Sequence, residues 1–243
     1  MNEATPQFDS HALEYEAQCM QGVGLSGESK EFFARGRIDS LHEWWGQTGR
    51  AAPRFIVDYG CGIGDASPLL AKMFPGSRVM GVDPSTDCIA RARQSQAADR
   101  VSYQPLGEFA GSELGTADLV HVNGVLHHVE PAERPQFFRA IADLLAPGGV
   151  VALFENNPLN PGTRLLMARI PFDRDAIPVL PWEARRLMQD AGLCGVDTRF
   201  LFYFPRFLSA LRPLERFLVR LPLGAQYGVF AVRGDSLHPD REA

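Results

Sequence analysis

At 243 residues the chain is long enough for one full α/β domain with small appendages. Its 45% hydrophobic and 22% charged residues are ordinary for a globular protein. A net charge of −5 and a pI of about 5.7 argue against a dedicated nucleic-acid binder, which carries a basic face.

Taken in chain order, residues 1–50 read as largely helical, with "ESKEFFARGRIDSLHEWW" amphipathic, and are expected to cap a sheet. "RFIVDYG" (Arg54–Gly60) is a short apolar run ending at glycine, as in a strand buried on both faces. Asp65 then heads "DASPLLAKMF" as a capping acid, with Leu69, Leu70, Met73 and Phe74 at helical spacing. "RVMGVD" (Arg78–Asp83) is a second strand, "STDCIARARQSQ" a helix and "RVSYQ" a strand. "ADLVHVNG" (Ala117–Gly124), a helix over "AERPQFFRAIADLLA", and a strand at "PGGVVALFE" (Pro147–Glu155) continue the alternation. A Pro- and Asn-rich stretch follows, then a helix at "WEARRLMQDAGL", a strand at Asp197–Phe204, and a last strand at "QYGVFAV".

This alternation predicts an α/β fold: a doubly wound, mostly parallel seven-stranded sheet with an N-terminal helical cap. The expected division is a cap over 1–50, a ligand-binding domain over 51–233 and a flexible tail over 234–243. Residues 156–181 and 205–225 stand out as insertions. The cysteines Cys19, Cys61, Cys88 and Cys194 contain no CxxC pair, so neither a disulfide framework nor a metal site is expected. There is no basic-then-apolar leader, nor any apolar run near the ~18 residues that span a bilayer. A cytoplasmic protein is expected.

In such sheets ligands bind at the carboxyl ends of the strands. That rule selects Asp58–Gly64, Asp83, Gly107–Glu108, Asn123–His128 and Glu155–Asn157. The turn Gly60-x-Gly62-x-Gly64 follows Asp58, and Asp83 closes the next strand 25 residues after Asp58 (83 − 58). An acid about 20 residues past such glycines hydrogen-bonds ribose hydroxyls. Asp58 and Asp65 bracket the turn, and would repel a dinucleotide diphosphate by a few kcal/mol each at ~4 Å. A ribose- and adenine-bearing ligand with an ammonium and a sulfonium is attracted instead, and S-adenosyl-L-methionine has those groups.

"VDYGCGIGD", "GVDPS", "ADLVHVNGVLHHVE" and "LLAPGGVVALFE" resemble the successive motifs of class I S-adenosylmethionine-dependent methyltransferases. The likeness is to the small-molecule group with an LHHV-type segment, and it runs from about Arg54 to Leu193. "FDSHALEYE" resembles the entry helix of that group. The resemblance implies that Gly60, Cys61 and Gly62 pass close to the methionine moiety, with Asp58 facing its ammonium end. Asp83 would take the ribose hydroxyls, Pro84 would lie beside the adenine, and Asn123 near the transferred methyl. Tyr15 and Arg37 would close over the methionine carboxylate, against packing or surface roles. Where the family often has an acid for the adenine amine, this chain has "QPLGEFAG", and Glu108 is the candidate.

Methyl transfer to oxygen or nitrogen can need a base. His127 and His128 follow the fourth strand at the catalytic edge, with His127 favoured; the alternative is that one packs and the other caps a turn. Glu155 is a further acid–base or orienting candidate, and Asn156 and Asn157 suit a hydroxylated acceptor or simply form a turn beside Pro158. In "PRFLSALRPLERFLVRLPLGAQ", Arg212, Arg216 and Arg220 would stack along one helix face. That face is either solvated or a peripheral membrane or lipid-substrate contact over residues 205–222.

The expected function is a methyltransferase acting on a small-molecule acceptor, at a hydroxyl oxygen of a saccharide, polyketide or lipid-like metabolite. A nicotinamide-dependent oxidoreductase and a non-catalytic cofactor-binding regulator are the alternatives. Replacing Asp58 by alanine is expected to weaken cofactor binding and leave the fold intact.

Overall fold

The computed structural model describes residues 27–96, 98–109, 113–167 and 176–234. Tyr15, Cys19, the entry-helix motif and the tail beyond Gly234 lie outside the described residues.

Seven strands form one sheet in the order β3-β2-β1-β4-β5-β7-β6. They are β1 Phe55–Tyr59, β2 Arg78–Asp83, β3 Val101–Pro105, β4 Ala117–Asn123, β5 Leu145–Asn156, β6 Leu193–Leu201 and β7 Gln226–Arg233. β1 to β5 pair in parallel, whereas β7 is antiparallel to both β5 and β6. The chain order reverses between β1 and β4, which is where a doubly wound sheet opens a crevice at its carboxyl edge.

Helix α1, Lys30–Gln47, starts where the Ser29 side chain accepts from the Phe32 amide at 3.1 Å. Its Ala34, Ile38, Leu41, Trp44 and Trp45 recur every three or four residues and are buried. The last four share a core with Ile56, Leu119, Phe154 and Phe230 on one face of the sheet, and Trp44 stacks on Phe230 at 4.9 Å. Within the span expected to form the cap, the described helix thus packs on one face of the sheet. The opposite face packs Val57, Val120, Val122 and Leu153 against Phe138, Ile141 and Met188. These come from α5, Arg134–Leu144, and α7, Pro181–Asp190.

Two local expectations are corrected. The helix after the glycine turn, α2, covers Ser67–Met73 with Ala66 at its N-cap and no side-chain cap bond. Asp65 is therefore no cap; Pro68 in the first turn and burial of Leu70 and Ala71 fix that helix. The helices α3, Thr86–Ser95, and α4, Leu106–Phe109, follow β2 and β3.

The second correction concerns residues 205–222, which do not form one helix. Arg206–Leu214 is tight 3-10 turns broken at Leu208 with Pro213 inside, and only Glu215–Leu218 (α8) is α-helical. The three arginines consequently diverge. Arg212 turns inward to Glu28 at 2.6 Å and lies 4.5 Å over the Phe32 ring. Arg220 pairs with Asp197, and Arg216 lies 4.6 Å over Phe217. The expected basic stripe does not exist. Among the described residues, no helix is long and apolar enough to cross a membrane.

Candidate active site

A cavity of about 1000 Å³ opens above the carboxyl ends of β1, β4 and β5, walled by α1, by α6 (Pro161–Met167), and by residues 202–207. Its floor starts at the glycine turn. Gly60, Gly62 and Gly64 have φ of +73°, +53° and +87°, so the chain reverses without side-chain clash. At Gly60 a Cβ would lie 2.3 Å from Val125 Cγ2. The Gly60 and Cys61 amides both donate to the Val82 carbonyl, at 2.8 and 3.0 Å, which ties the turn to β2.

Asp83 braces the same turn. One carboxylate oxygen accepts from the Gly62 amide at 2.8 Å and the other from the Ser85 amide at 2.9 Å. Pro84 beside it is exposed. Glu108, on α4, is also exposed and does not line the cavity. Cys61 lines the cavity, but its sulfur is only 3.0 Å from where a Gly81 Cβ would stand. Burial, and then the Asp58 charge, hold that thiol far above its ordinary range, so it stays protonated.

Asp58 is 2% exposed and lines the cavity floor. It accepts from Ser67 Oγ at 2.6 Å and pairs with His121 Nδ1 at 2.8 Å. Alanine at position 58 would strand both buried partners, at ~1–3 kcal/mol each. The expectation of an intact fold is therefore replaced by one of a destabilised fold, and asparagine becomes the informative substitution. His121 follows from a register that sequence spacing does not display: Asp58 and His121 are direct cross-strand partners.

Arg37 lines the cavity rather than the outer surface, and donates to Gln226 Oε1 at 3.0 Å. Gln226 in turn donates to Asn156 Oδ1 at 3.1 Å. Asn157 takes no part, because it is fully buried and donates to the Pro222 and Gly224 carbonyls at 3.1 and 2.8 Å. It fastens the 205–225 insertion to the end of β5 and is not an acceptor contact.

Asn123, His127 and His128 meet at the cavity wall. The turn Leu126–His128 is gripped by Glu155 from β5: one oxygen accepts from the Leu126 amide at 2.8 Å, the other is 2.5 Å from His127 Nδ1. A carboxylate only accepts, so Nδ1 carries a proton, and Nε2 is the nitrogen of this ring that could exchange one. The two imidazole centroids are 4.2 Å apart. Burial, and then the neighbouring His127, push His128 down from 6.5 to about 4, so it is neutral at physiological pH.

The opposite wall is aromatic. Phe202, with a left-handed φ of +63°, packs against Phe33 at 4.9 Å and Phe32 at 5.8 Å. Gly36 of α1 leaves room for it, since a Cβ there would be 2.5 Å from the Phe202 ring. Phe207 lines the mouth and is 82% exposed. Nothing in the sequence singled out Phe202 or Gly36.

The sheet order, the antiparallel β7 and the acid-bracketed glycine turn define a nucleoside-cofactor domain suited to a cationic ligand. The relatives agree. Residues 57–151 match the family model described as "Methyltransferase domain". A trans-aconitate 2-methyltransferase of Paracidovorax citrulli is 34% identical over 168 residues, 68% of this chain and 59% of that one. An uncharacterized protein of Synechococcus is 37% identical over 157 residues, covering 61% of this chain and 36% of the relative. The chain thus spans less than two thirds of these curated relatives. A solved S-adenosylmethionine-dependent methyltransferase of Thermotoga maritima, titled as a possible histamine N-methyltransferase, superposes with TM-score 0.62 at 15% identity. That match covers 93% of this chain and 98% of the other. An O-methyltransferase family protein of Burkholderia thailandensis gives TM-score 0.64 at 18% identity, over 96% of this chain and 64% of its own.

Residues 57–151 thus carry a methyltransferase domain, and the chain has the fold of the class I S-adenosylmethionine-dependent methyltransferases. S-adenosylmethionine is the cofactor that this domain match supports, and the carboxylates flanking the turn suit its cationic end better than a dinucleotide's diphosphate.

Proposed function

We propose that the protein methylates a hydroxyl oxygen of a small, largely apolar acceptor, of the polyketide or lipid-like kind. The observation that carries this reading is the His127–Glu155 pair, 2.5 Å apart and buried beside the cavity. A hydroxyl is a poor nucleophile until its proton is removed, and an oriented imidazole is suited to remove it. His127 Nε2 would take that proton while Glu155 stabilises the imidazolium. When bound, S-adenosylmethionine supplies the electrophilic methyl on a sulfonium. In this reading Asp58 serves its ammonium end, Arg37 its carboxylate, Asp83 its ribose and Asn123 the transfer zone. The aromatic wall would hold the acceptor, and the exposed Phe207 would stand at its entrance.

The name of the Paracidovorax relative raises a second reading, methylation of a carboxylate on trans-aconitate. Two features weigh against it here. A carboxylate is already ionised and needs no base. Among the described residues, the cavity lining also sets Glu28, Glu31, Asp58, Asp65 and Glu155 against Lys30 and Arg37, a balance unfavourable to a trianion.

The test is transfer of a labelled methyl group from S-adenosylmethionine to a panel of hydroxylated aromatics, long-chain alcohols, saccharides and trans-aconitate. O-methylated apolar products are expected. A trans-aconitate ester as the sole product would overturn the reading. Cofactor binding with no transfer to any extract of the source cell would instead favour a non-catalytic binding protein.

A further inference from the structure

The cavity floor holds a polar atom that the proposed reaction does not use. His121 is 1% exposed, and its Nε2 has no hydrogen-bond partner among the described residues. Its Nδ1 is committed to Asp58 at 2.8 Å. Asp58 accepts at both oxygens, from His121 and from Ser67, so Nδ1 is the protonated nitrogen of His121 and Nε2 carries the lone pair. A buried acceptor left without a donor is costly, and such groups in native proteins are normally satisfied by a ligand or water.

The location indicates what the donor is. His121 sits opposite Asp58 in the β1–β4 register, and both line the cavity next to Gly60 and Asn123. On β4 it precedes Asn123 by two residues and so shares its face of the sheet. Phe154, 5.7 Å away on β5, closes the far side of the ring. In the S-adenosylmethionine reading of the site, the cationic end of the cofactor is the donor-rich group at this corner.

We propose that His121 and Asp58 form one acceptor unit for the ammonium of the cofactor's methionine portion, with His121 Nε2 receiving an N–H that Asp58 alone does not satisfy. This rests on the S-adenosylmethionine reading of the site. His121 is then a binding residue for the amino-acid end of the cofactor, with no role at the adenosine end.

The experiment compares two ligands by calorimetry: S-adenosylhomocysteine, which carries the ammonium, and methylthioadenosine, which lacks the amino-acid group. The variant is His121→Asn. Asparagine Nδ2 stands where His Nδ1 stood and keeps the bond to Asp58, but no acceptor remains at the Nε2 position. S-adenosylhomocysteine affinity should fall about tenfold or more, while methylthioadenosine affinity stays within twofold. An unchanged S-adenosylhomocysteine affinity, or equal losses for both ligands, overturns the proposal. His121→Phe, which also breaks the Asp58 bond, should give a larger selective loss, and circular dichroism checks that each variant is folded. Failure of the unsubstituted protein to bind S-adenosylhomocysteine would instead overturn the cofactor reading itself.

Discussion

Glu155 holds the Leu126–His128 turn with both oxygens, and the shorter contact, 2.5 Å, is to His127 Nδ1. The relationship fixes which nitrogen of His127 can act as a base. Glu155→Gln should therefore be nearly as damaging as removing the imidazole. If the amide NH₂ faces His127, the ring must present a lone pair at Nδ1 and a proton at Nε2, which is the wrong tautomer for a base. If the amide is flipped, its NH₂ meets the Leu126 N–H, and the turn loses its anchor. We expect kcat to fall by about 10²–10⁴-fold in His127→Ala, and by a comparable factor in Glu155→Gln, with little change in S-adenosylhomocysteine affinity. Steady-state kinetics with the identified acceptor checks this. Full turnover in His127→Ala would remove the base from the mechanism.

His128 behaves differently because burial lowers its pKa to about 4, against 6.5 for an ordinary histidine. Between those values the unfolded chain binds a proton that the folded chain does not. Unfolding free energy should thus decrease as pH falls through this window, by at most ~1.4 kcal/mol per pH unit from this one group. His128→Gln removes the titrating group, so its stability should depend less steeply on pH from about 6.5 down to 4. Urea unfolding of both proteins across that range is the measurement. Parallel curves would show that His128 is not buried as a neutral ring.

Gly60 faces two obstacles to any side chain: its φ of +73° and a Val125 methyl 2.3 Å from the would-be Cβ. The backbone cost for alanine is ~1–2 kcal/mol and overpacking typically adds ~1–3 kcal/mol. Gly60→Ala should lower stability by a sum in that range and weaken S-adenosylhomocysteine binding. Adding Val125→Ala relieves only the steric part, so the double variant should be more stable than additivity predicts. Thermal unfolding of the four proteins measures the coupling. Strict additivity would mean that the turn shifts away from Val125 on its own.

Much of this was legible in the sequence because the informative features are local. Strand ends and glycine stops placed Asp58, Gly60, Asp83, Asn123 and His127 along one edge, and charge alone favoured a cationic cofactor over a diphosphate. What was not legible depends on register and on tertiary override. The Asp58–His121 pairing requires knowing that β1 and β4 are neighbours with those two residues level. The failure at 205–222 has a local cause that the i, i+4, i+8 spacing concealed. Pro213 sits mid-segment, and the Glu215 carboxylate accepts from the Tyr203 and Phe204 amides at 3.1 and 2.9 Å. Those bonds and the Arg212–Glu28 pair favour compact turns over a continuous helix.

Gly36 offers a test in which two effects oppose each other. It lies inside α1, where alanine is favoured over glycine by ~1 kcal/mol. A Cβ there would be 2.5 Å from Phe202 Cε1 and 2.9 Å from Cζ, so the ring must move. Phe202 cannot easily swing with its backbone, since that is already in the left-handed region and its neighbours Phe32 and Phe33 hold the ring. Gly36→Ala should therefore leave global stability within ~1 kcal/mol, because helix propensity offsets the repacking. The displaced ring changes the aromatic wall of the cavity, and the KM for an apolar acceptor should rise several-fold. S-adenosylhomocysteine affinity, governed by the floor and not by this wall, should stay within twofold. Acceptor kinetics and calorimetry together read both quantities, and an unchanged KM would mean that Phe202 does not touch the acceptor.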